Sequence, residues 1–149
     1  MKREVKIIIT EDDQGHATLI KKNLRRAGIK NDIIHFSDGQ TTLDYLKKEG
    51  DGPKRKSGIP HLLLLDLKMP GISGLDVLKQ IKEDDELKKI PVIILTTTDN
   101  EVEIEKCHKL GCSNYVTKPV AYDKFIETIK QLGLFLSIVQ IPNISGHRI

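Results

Sequence analysis

Residues 61–71, with the sequence HLLLLDLKMPG, decide the fold of this 149-residue chain. Four leucines follow one another there without the apolar and polar alternation of a half-exposed strand. A strand of that composition is covered on both faces, as in the centre of a parallel sheet between two layers of helices. The stretch therefore predicts a central strand that ends at a carboxylate, Asp66.

Further short runs rich in Val, Ile or Tyr have the length and composition of strands. With the central run, the predicted strands cover residues 5–10, 32–36, 61–65, 92–96 and 114–117. Between them the apolar spacing changes to three and four residues, as at Ala17, Ile20 and Leu24, which is typical of helices. Five strand and helix units in alternation require a parallel sheet with right-handed crossovers. The sequence therefore predicts a doubly wound (βα)5 fold of the α/β class.

The composition favours one soluble domain without a nucleic-acid or membrane partner. The 24 basic and 21 acidic residues give a formal charge of +3, which is too small an excess for a basic binding face. The densest basic run, residues 54–56, lies between glycines and prolines and is interpreted as a solvated loop tip, with phosphate binding as the alternative. No signal sequence precedes the first strand, and a cytoplasmic location is expected. We expect one domain over residues 1–149, with a core of about 5–132 and an apolar extension over 133–149.

Polar side chains follow the predicted strands at the points where the strands end. In a doubly wound sheet the carboxyl ends of the strands form the edge at which ligands bind. The side chains expected there are Glu11, Asp12, Asp13, Asp66, Thr96, Thr97 and Lys118. Taken singly, an Asp after a strand is more often a turn residue or a helix cap, and a Thr or Lys is more often structural or solvated. Their presence together at one edge indicates a functional site.

The chemistry of these side chains points to a metal ion and a phosphoryl group. Carboxylates that end two neighbouring strands repel each other unless a cation offsets their charge, and hard oxygen ligands favour Mg²⁺. With Mg²⁺ bound, a nearby carboxylate can attack a phosphoryl group. The ammonium of Lys118 and the hydroxyl of Thr96 can then bind the phosphoryl oxygens.

These residues resemble the receiver domains of two-component signalling over about residues 5–132. The matching motifs are EDD at 11–13, DLKMPGISG at 66–74, TT at 96–97 and YVTKP at 115–119. The resemblance implies a flavodoxin-like sheet with the strand order 2-1-3-4-5. It also implies that Asp66 is the phosphoacceptor, that Thr96 and Lys118 contact the phosphoryl group, and that Thr96 and Tyr115 form the switch. The implied Mg²⁺ ligands are Glu11, Asp12, Asp66 and the backbone carbonyl of Lys68, and a cis peptide is implied between Lys118 and Pro119.

The resemblance implies a signalling protein that catalyses only its own phosphorylation and dephosphorylation. Its expected partners are a sensor histidine kinase or a phosphotransfer protein, and a separate output protein. The chain has a long loop between the predicted second helix and third strand, and an apolar tail. Both features are similar to those of single-domain regulators that partner bacterial phytochrome kinases. Apolar residues beyond Leu132 exceed one core-facing stripe and predict a homodimer through the C-terminal segment, or a tail folded over its own domain.

Two other functions compete with this interpretation. The first is an interaction module on the same scaffold that works without phosphate. Such modules usually lose the acidic pair, the acceptor or the Lys, whereas all of these are present here. The second is a flavodoxin-like cofactor binder. Acidic residues occupy the place of its phosphate loop after the first strand and would repel a phosphate.

Overall fold

The computed structural model of the protein describes residues 5–96, 100–117, 123, 124, 126 and 127. The strands in this part of the chain are β1 (Lys6–Thr10), β2 (Ile33–Phe36), β3 (His61–Asp66), β4 (Val92–Thr96) and β5 (Asn114–Thr117). They form one sheet in the order β2-β1-β3-β4-β5, and every neighbouring pair is parallel. The predicted doubly wound, flavodoxin-like fold and its strand order are confirmed.

Helices connect the strands. They are α1 (Gln14–Arg26), α2 (Gly39–Lys47), α3 (Gly74–Glu83) and α4 (Glu101–Lys109), with a short 3-10 helix at Leu87–Lys89. After β5, residues 123, 124, 126 and 127 are helical, as the predicted fifth helix requires. The remainder of that helix and the whole extension over 133–149 lie outside the described residues, so the proposed domain limits stay a prediction.

The helices begin where short polar side chains cap them. Asp13, Asp38, Ser73 and Asn100 each accept a hydrogen bond from a main-chain N–H of the first turn. Such caps satisfy donors that have no partner inside the helix. At the other end of α2 the cap residue is Lys48, which takes the left-handed conformation with φ of 62°.

The core lies on both faces of the sheet, as the leucine run predicts. All six residues of β3 are buried. Leu63 and Leu65 pack in one apolar cluster with α2 and α3, while Leu62 and Leu64 pack in a second cluster with α1. Because alternate side chains of a strand point to opposite faces, one uninterrupted leucine run fills both layers. Among the described helices, none has the length and hydropathy required to cross a membrane.

Candidate functional site

The register of the sheet brings the predicted acidic residues to one edge. Thr10, the last residue of β1, lies opposite Leu65 of β3. Glu11 and Asp66 therefore follow as neighbours at the carboxyl ends of adjacent parallel strands. This is the edge at which doubly wound proteins bind ligands.

Three carboxylates meet there. Glu11, Asp12 and Asp66 each offer one oxygen, and these oxygens all lie within 4.8 Å of one another. Glu11 is 1% exposed and Asp66 is 4% exposed, whereas Asp12 is exposed. Ionised carboxylates are costly to bury without a compensating positive charge. A set of hard oxygen donors at this spacing fits a divalent cation such as Mg²⁺.

Hydrogen bonds from β2 fix the main chain of Glu11. The N–H of Glu11 donates to the carbonyl of Phe36 at 3.0 Å. Nε2 of His35 lies 2.7 Å from the carbonyl oxygen of Glu11, and because a carbonyl oxygen only accepts, His35 is the donor. The carboxylate of Glu11 accepts from the main-chain N–H of Asp13 at 3.1 Å. The end of β2 thus holds the acidic residue in place.

The role of His35 in this arrangement is not visible in the sequence. A single His on a short edge strand has no motif or spacing that marks it. Only the strand order, which places β2 directly beside β1, reveals the contact.

The loop after β3 packs closely against the acceptor position. The N–H of Gly74, at the start of α3, donates to the carbonyl of Leu67 at 2.8 Å. A Cβ on Gly74 would lie 2.3 Å from the carbonyl oxygen of Asp66, so only glycine permits this approach. Gly71 has φ of 79°, the left-handed conformation that glycine adopts readily. Lys68, whose carbonyl is the predicted fourth metal ligand, lies on this loop with an exposed side chain.

The predicted switch residues lie on β4 and β5. Thr96 is the last residue of β4, is buried, and pairs in register with Thr117 of β5. Tyr115 pairs in register with Ile94 and is half-buried against the apolar cluster on the α2 and α3 side. Lys118 lies outside the described residues, so its approach to Asp66 and the predicted cis peptide stay predictions.

Comparison with known proteins gives a family and close structural relatives. Residues 7–130 match the family described as response regulator receiver domain. Response regulator Rcp1 of Synechocystis sp. (strain ATCC 27184 / PCC 6803 / Kazusa) is 34% identical over 137 residues, covering 91% of this chain and 92% of that protein. The solved structure of the bacteriophytochrome response regulator RtBRR aligns with a TM-score of 0.82 at 38% identity, covering 94% of this chain and 84% of that one.

Two further similar structures were solved with a bound metal ion or in a phosphorylated state. The Mn²⁺-bound form of Rcp1 aligns with a TM-score of 0.72 at 28% identity, covering 89% of this chain and 94% of that one. The phosphorylated cyanobacterial phytochrome response regulator RcpA aligns with a TM-score of 0.75 at 30% identity, covering 94% of this chain and 99% of that one. Proteins similar to this chain are thus known with a divalent cation and with a phosphoryl group.

Proposed function

This chain belongs to the response regulator receiver domain family of two-component signalling, and on that premise we propose that it is a switch in which Asp66 accepts a phosphoryl group with Mg²⁺ bound. One observation carries the proposal. Two buried carboxylates and one exposed carboxylate lie with oxygens within 4.8 Å of one another at the ligand-binding edge of the sheet. A bound cation would offset the mutual repulsion of these charges, and the cluster includes the predicted nucleophile.

In the proposed reaction, a carboxylate oxygen of Asp66 forms a bond to phosphorus. The bond between phosphorus and the imidazole nitrogen of the kinase histidine breaks, and its electron pair stays on that nitrogen. Glu11, Asp12 and the carbonyl of Lys68 hold the cation together with Asp66, and Mg²⁺ when bound offsets the negative charge of the phosphoryl oxygens. In a separate step, water attacks phosphorus, the bond between phosphorus and the Asp66 oxygen breaks with its electron pair staying on that oxygen, and phosphate leaves as the carboxylate is restored.

The remaining site residues bind the phosphoryl group and transmit its presence. The hydroxyl of Thr96 donates to a phosphoryl oxygen, and the ammonium of Lys118 adds a positive charge. Movement of Thr96 toward the phosphoryl group frees space that Tyr115 fills by turning inward. Two existing conformations then change in population, and the surface that includes α4 and β5 presents the change to an output protein.

The similarity to RtBRR and RcpA supports a sensor histidine kinase as the phosphoryl donor, with a phytochrome kinase as the specific proposal. We further propose a homodimer formed through residues 133–149, whose apolar side chains exceed what one core-facing stripe uses. The alternative function, an interaction module that works without phosphate, retains the fold but has no use for the buried acidic cluster.

Incubation with acetyl phosphate tests the proposed function. The parent protein should gain the mass of one phosphoryl group with Mg²⁺ present and none with a chelator. Asp66→Asn should stay unlabelled under both conditions, while the matched control Asp85→Asn, at an exposed position, should be labelled like the parent. Labelling of Asp66→Asn at the parent's rate would assign the acceptor elsewhere, and no labelling of the parent would favour the interaction module.

A further inference from the structure

A separate cavity lies at the opposite edge of the sheet from Asp66, where β1 and β3 begin. It has a volume of about 220 Å³. Its charged and polar lining consists of Lys6, Asp32, Tyr45, Lys54, Lys56 and His61. None of these residues belongs to the phosphorylation site, which lies at the far ends of the same strands.

Positive charge dominates the cavity wall. Lys6, Lys54 and Lys56 contribute three ammonium groups, while Asp32 is the one carboxylate of the lining and is exposed. Within the described residues, none of the three lysines forms an ion pair. The positive charge of the wall is therefore available to an anion.

The side chains of the wall are held by their surroundings. Lys6 begins β1, and its Nζ lies 5.9 Å from the ring centroid of Tyr45. Lys54 donates from Nζ to the carbonyls of Gly50 at 2.7 Å and Gly52 at 3.4 Å, which leaves one ammonium hydrogen for a ligand. Two of the three charges are thus positioned before any ligand binds.

In the basic run at residues 54–56 the two lysines are exposed, but the middle residue is anchored. The side chain of Arg55 is only 9% exposed, and it pairs with Glu86. Its Nε donates to the carbonyl of Leu46 at 2.9 Å. Lys54 and Lys56, on either side of this anchor, both line the cavity, whereas Arg55 does not. This arrangement favours the alternative of phosphate binding that the sequence left open.

The floor of the cavity is formed by His61 and Tyr45, which are buried and whose polar atoms are hydrogen-bonded. Nδ1 of His61 lies 2.8 Å from the carbonyl of Ile59 and must carry the hydrogen of that bond. In the neutral ring Nε2 then accepts from the hydroxyl of Tyr45, at 3.0 Å. Burial foremost, with the positive charges of Arg55 and Lys6, keeps the pKa of His61 below its usual 6.5. The floor therefore adds no negative charge that would oppose an anion.

We propose that this cavity binds a small phosphate-bearing anion, inorganic phosphate or a short phosphate monoester, independently of Asp66. Lysine ammonium groups are common point-charge ligands of phosphate, and three of them line this cavity. The volume exceeds that of a single bound water but is smaller than the pockets of drug-sized ligands.

Calorimetric titration with inorganic phosphate tests the proposal on the full chain. The titration uses the Asp66→Asn protein with a chelator present, so that phosphate does not bind through a cation at the acidic cluster. Saturable binding with a Kd on the order of 1 mM or tighter is expected. The double variant Lys54→Gln and Lys56→Gln should raise the Kd about tenfold or more, because each charge acts at close range. The matched double variant Lys79→Gln and Lys106→Gln removes the same charge from exposed positions of α3 and α4 and should leave the Kd unchanged.

Ring resonances of His61 in NMR spectra give a second readout. They should shift with phosphate and not with sodium chloride of the same ionic strength. Equal shifts with both salts, absence of saturation, or equal Kd changes in the two double variants would each overturn the proposal. Binding to vesicles of phosphatidylcholine with phosphatidic acid tests whether the ligand is a lipid headgroup and not a free phosphate. Binding to these vesicles through Lys54 and Lys56, without binding of free phosphate, would also overturn it.

Discussion

Gly74 packs so closely against the main chain of Asp66 that a Cβ at position 74 would lie 2.3 Å from the Asp66 carbonyl oxygen. The same Cβ would lie 2.6 Å from the Cα of Leu67. Both neighbours are backbone atoms, which cannot move aside as the end of a flexible side chain can. The start of α3 is therefore fixed against the acceptor position by the absence of a side chain.

Gly74→Ala should lower the free energy of unfolding by about 1 to 3 kcal/mol, the range seen when atoms are forced into a packed site. It should also slow the labelling of Asp66 by acetyl phosphate, because relief of the clash displaces the main chain of the acceptor. Urea denaturation and mass spectrometry measure the two effects. Gly52→Ala is the control, since a Cβ there has no atom within 4 Å. Equal stability of the two variants would show that the loop after β3 adapts freely.

Asp12→Asn should affect stability in opposite directions with and without Mg²⁺. Without the cation, loss of one of three crowded charges relieves repulsion and should raise the free energy of unfolding by about 1 kcal/mol. With Mg²⁺ at about a hundred times the parent's Kd, the parent should gain about 2.7 kcal/mol, whereas a variant that binds about tenfold more weakly gains only about 1.4 kcal/mol. Urea denaturation in chelator and in Mg²⁺ measures this crossover.

Asp85→Asn serves as the control for charge, because Asp85 is exposed and lies far from the cluster in the chain between α3 and β4. It should change neither the stability in chelator nor the gain with Mg²⁺ by more than a few tenths of a kcal/mol. A parent protein that Mg²⁺ does not stabilise would contradict the assignment of Glu11, Asp12 and Asp66 as metal ligands.

His35→Leu should weaken Mg²⁺ binding by about tenfold, the usual effect of losing a group that orients a metal ligand. The variant removes the donor that fixes the carbonyl of Glu11, at 2.7 Å from Nε2. His35→Gln keeps an N–H donor at similar reach and should restore most of the affinity. Calorimetric titration with Mg²⁺ gives both values. Equal affinities in the Leu and Gln variants would show that His35 does not position Glu11 through this bond.

The fold and the acidic cluster were predictable because each depends on local signals that the topology then brings together. The leucine run of β3 specifies a strand covered on both faces, and a parallel sheet places Glu11 and Asp66 at the same edge whatever the details of packing. Two residues that depend on packing escaped prediction. His35 acts through a strand that is distant in sequence, and the inward orientation of Arg55 requires Leu46 and Glu86 as partners.

The proposed homodimer predicts that the chain sediments as a dimer at micromolar concentration. Truncation after Leu132 should give a folded monomer, because the family match ends at residue 130 and the apolar residues beyond it are removed. Sedimentation equilibrium measures the mass, and circular dichroism checks the fold. A full-length chain that is monomeric both with and without phosphorylation would leave the tail folded over its own domain as the explanation.

The pH dependence of stability should reveal the buried His61. Burial is the main reason that its pKa lies below 6.5 in the folded protein, and the hydrogen bond to Ile59 opposes this only in part. The unfolded chain therefore binds the proton more readily, so the stabilising contribution is complete above pH 6.5 and is lost as the pH falls toward the folded pKa. The slope from one such group is at most about 1.4 kcal/mol per pH unit.

Urea denaturation of the parent and of His61→Gln at several pH values isolates the contribution of His61, because the other groups titrate in both proteins. An unchanged slope in His61→Gln would show that the imidazole between Tyr45 and Ile59 accepts a proton in the folded state as easily as in the unfolded chain.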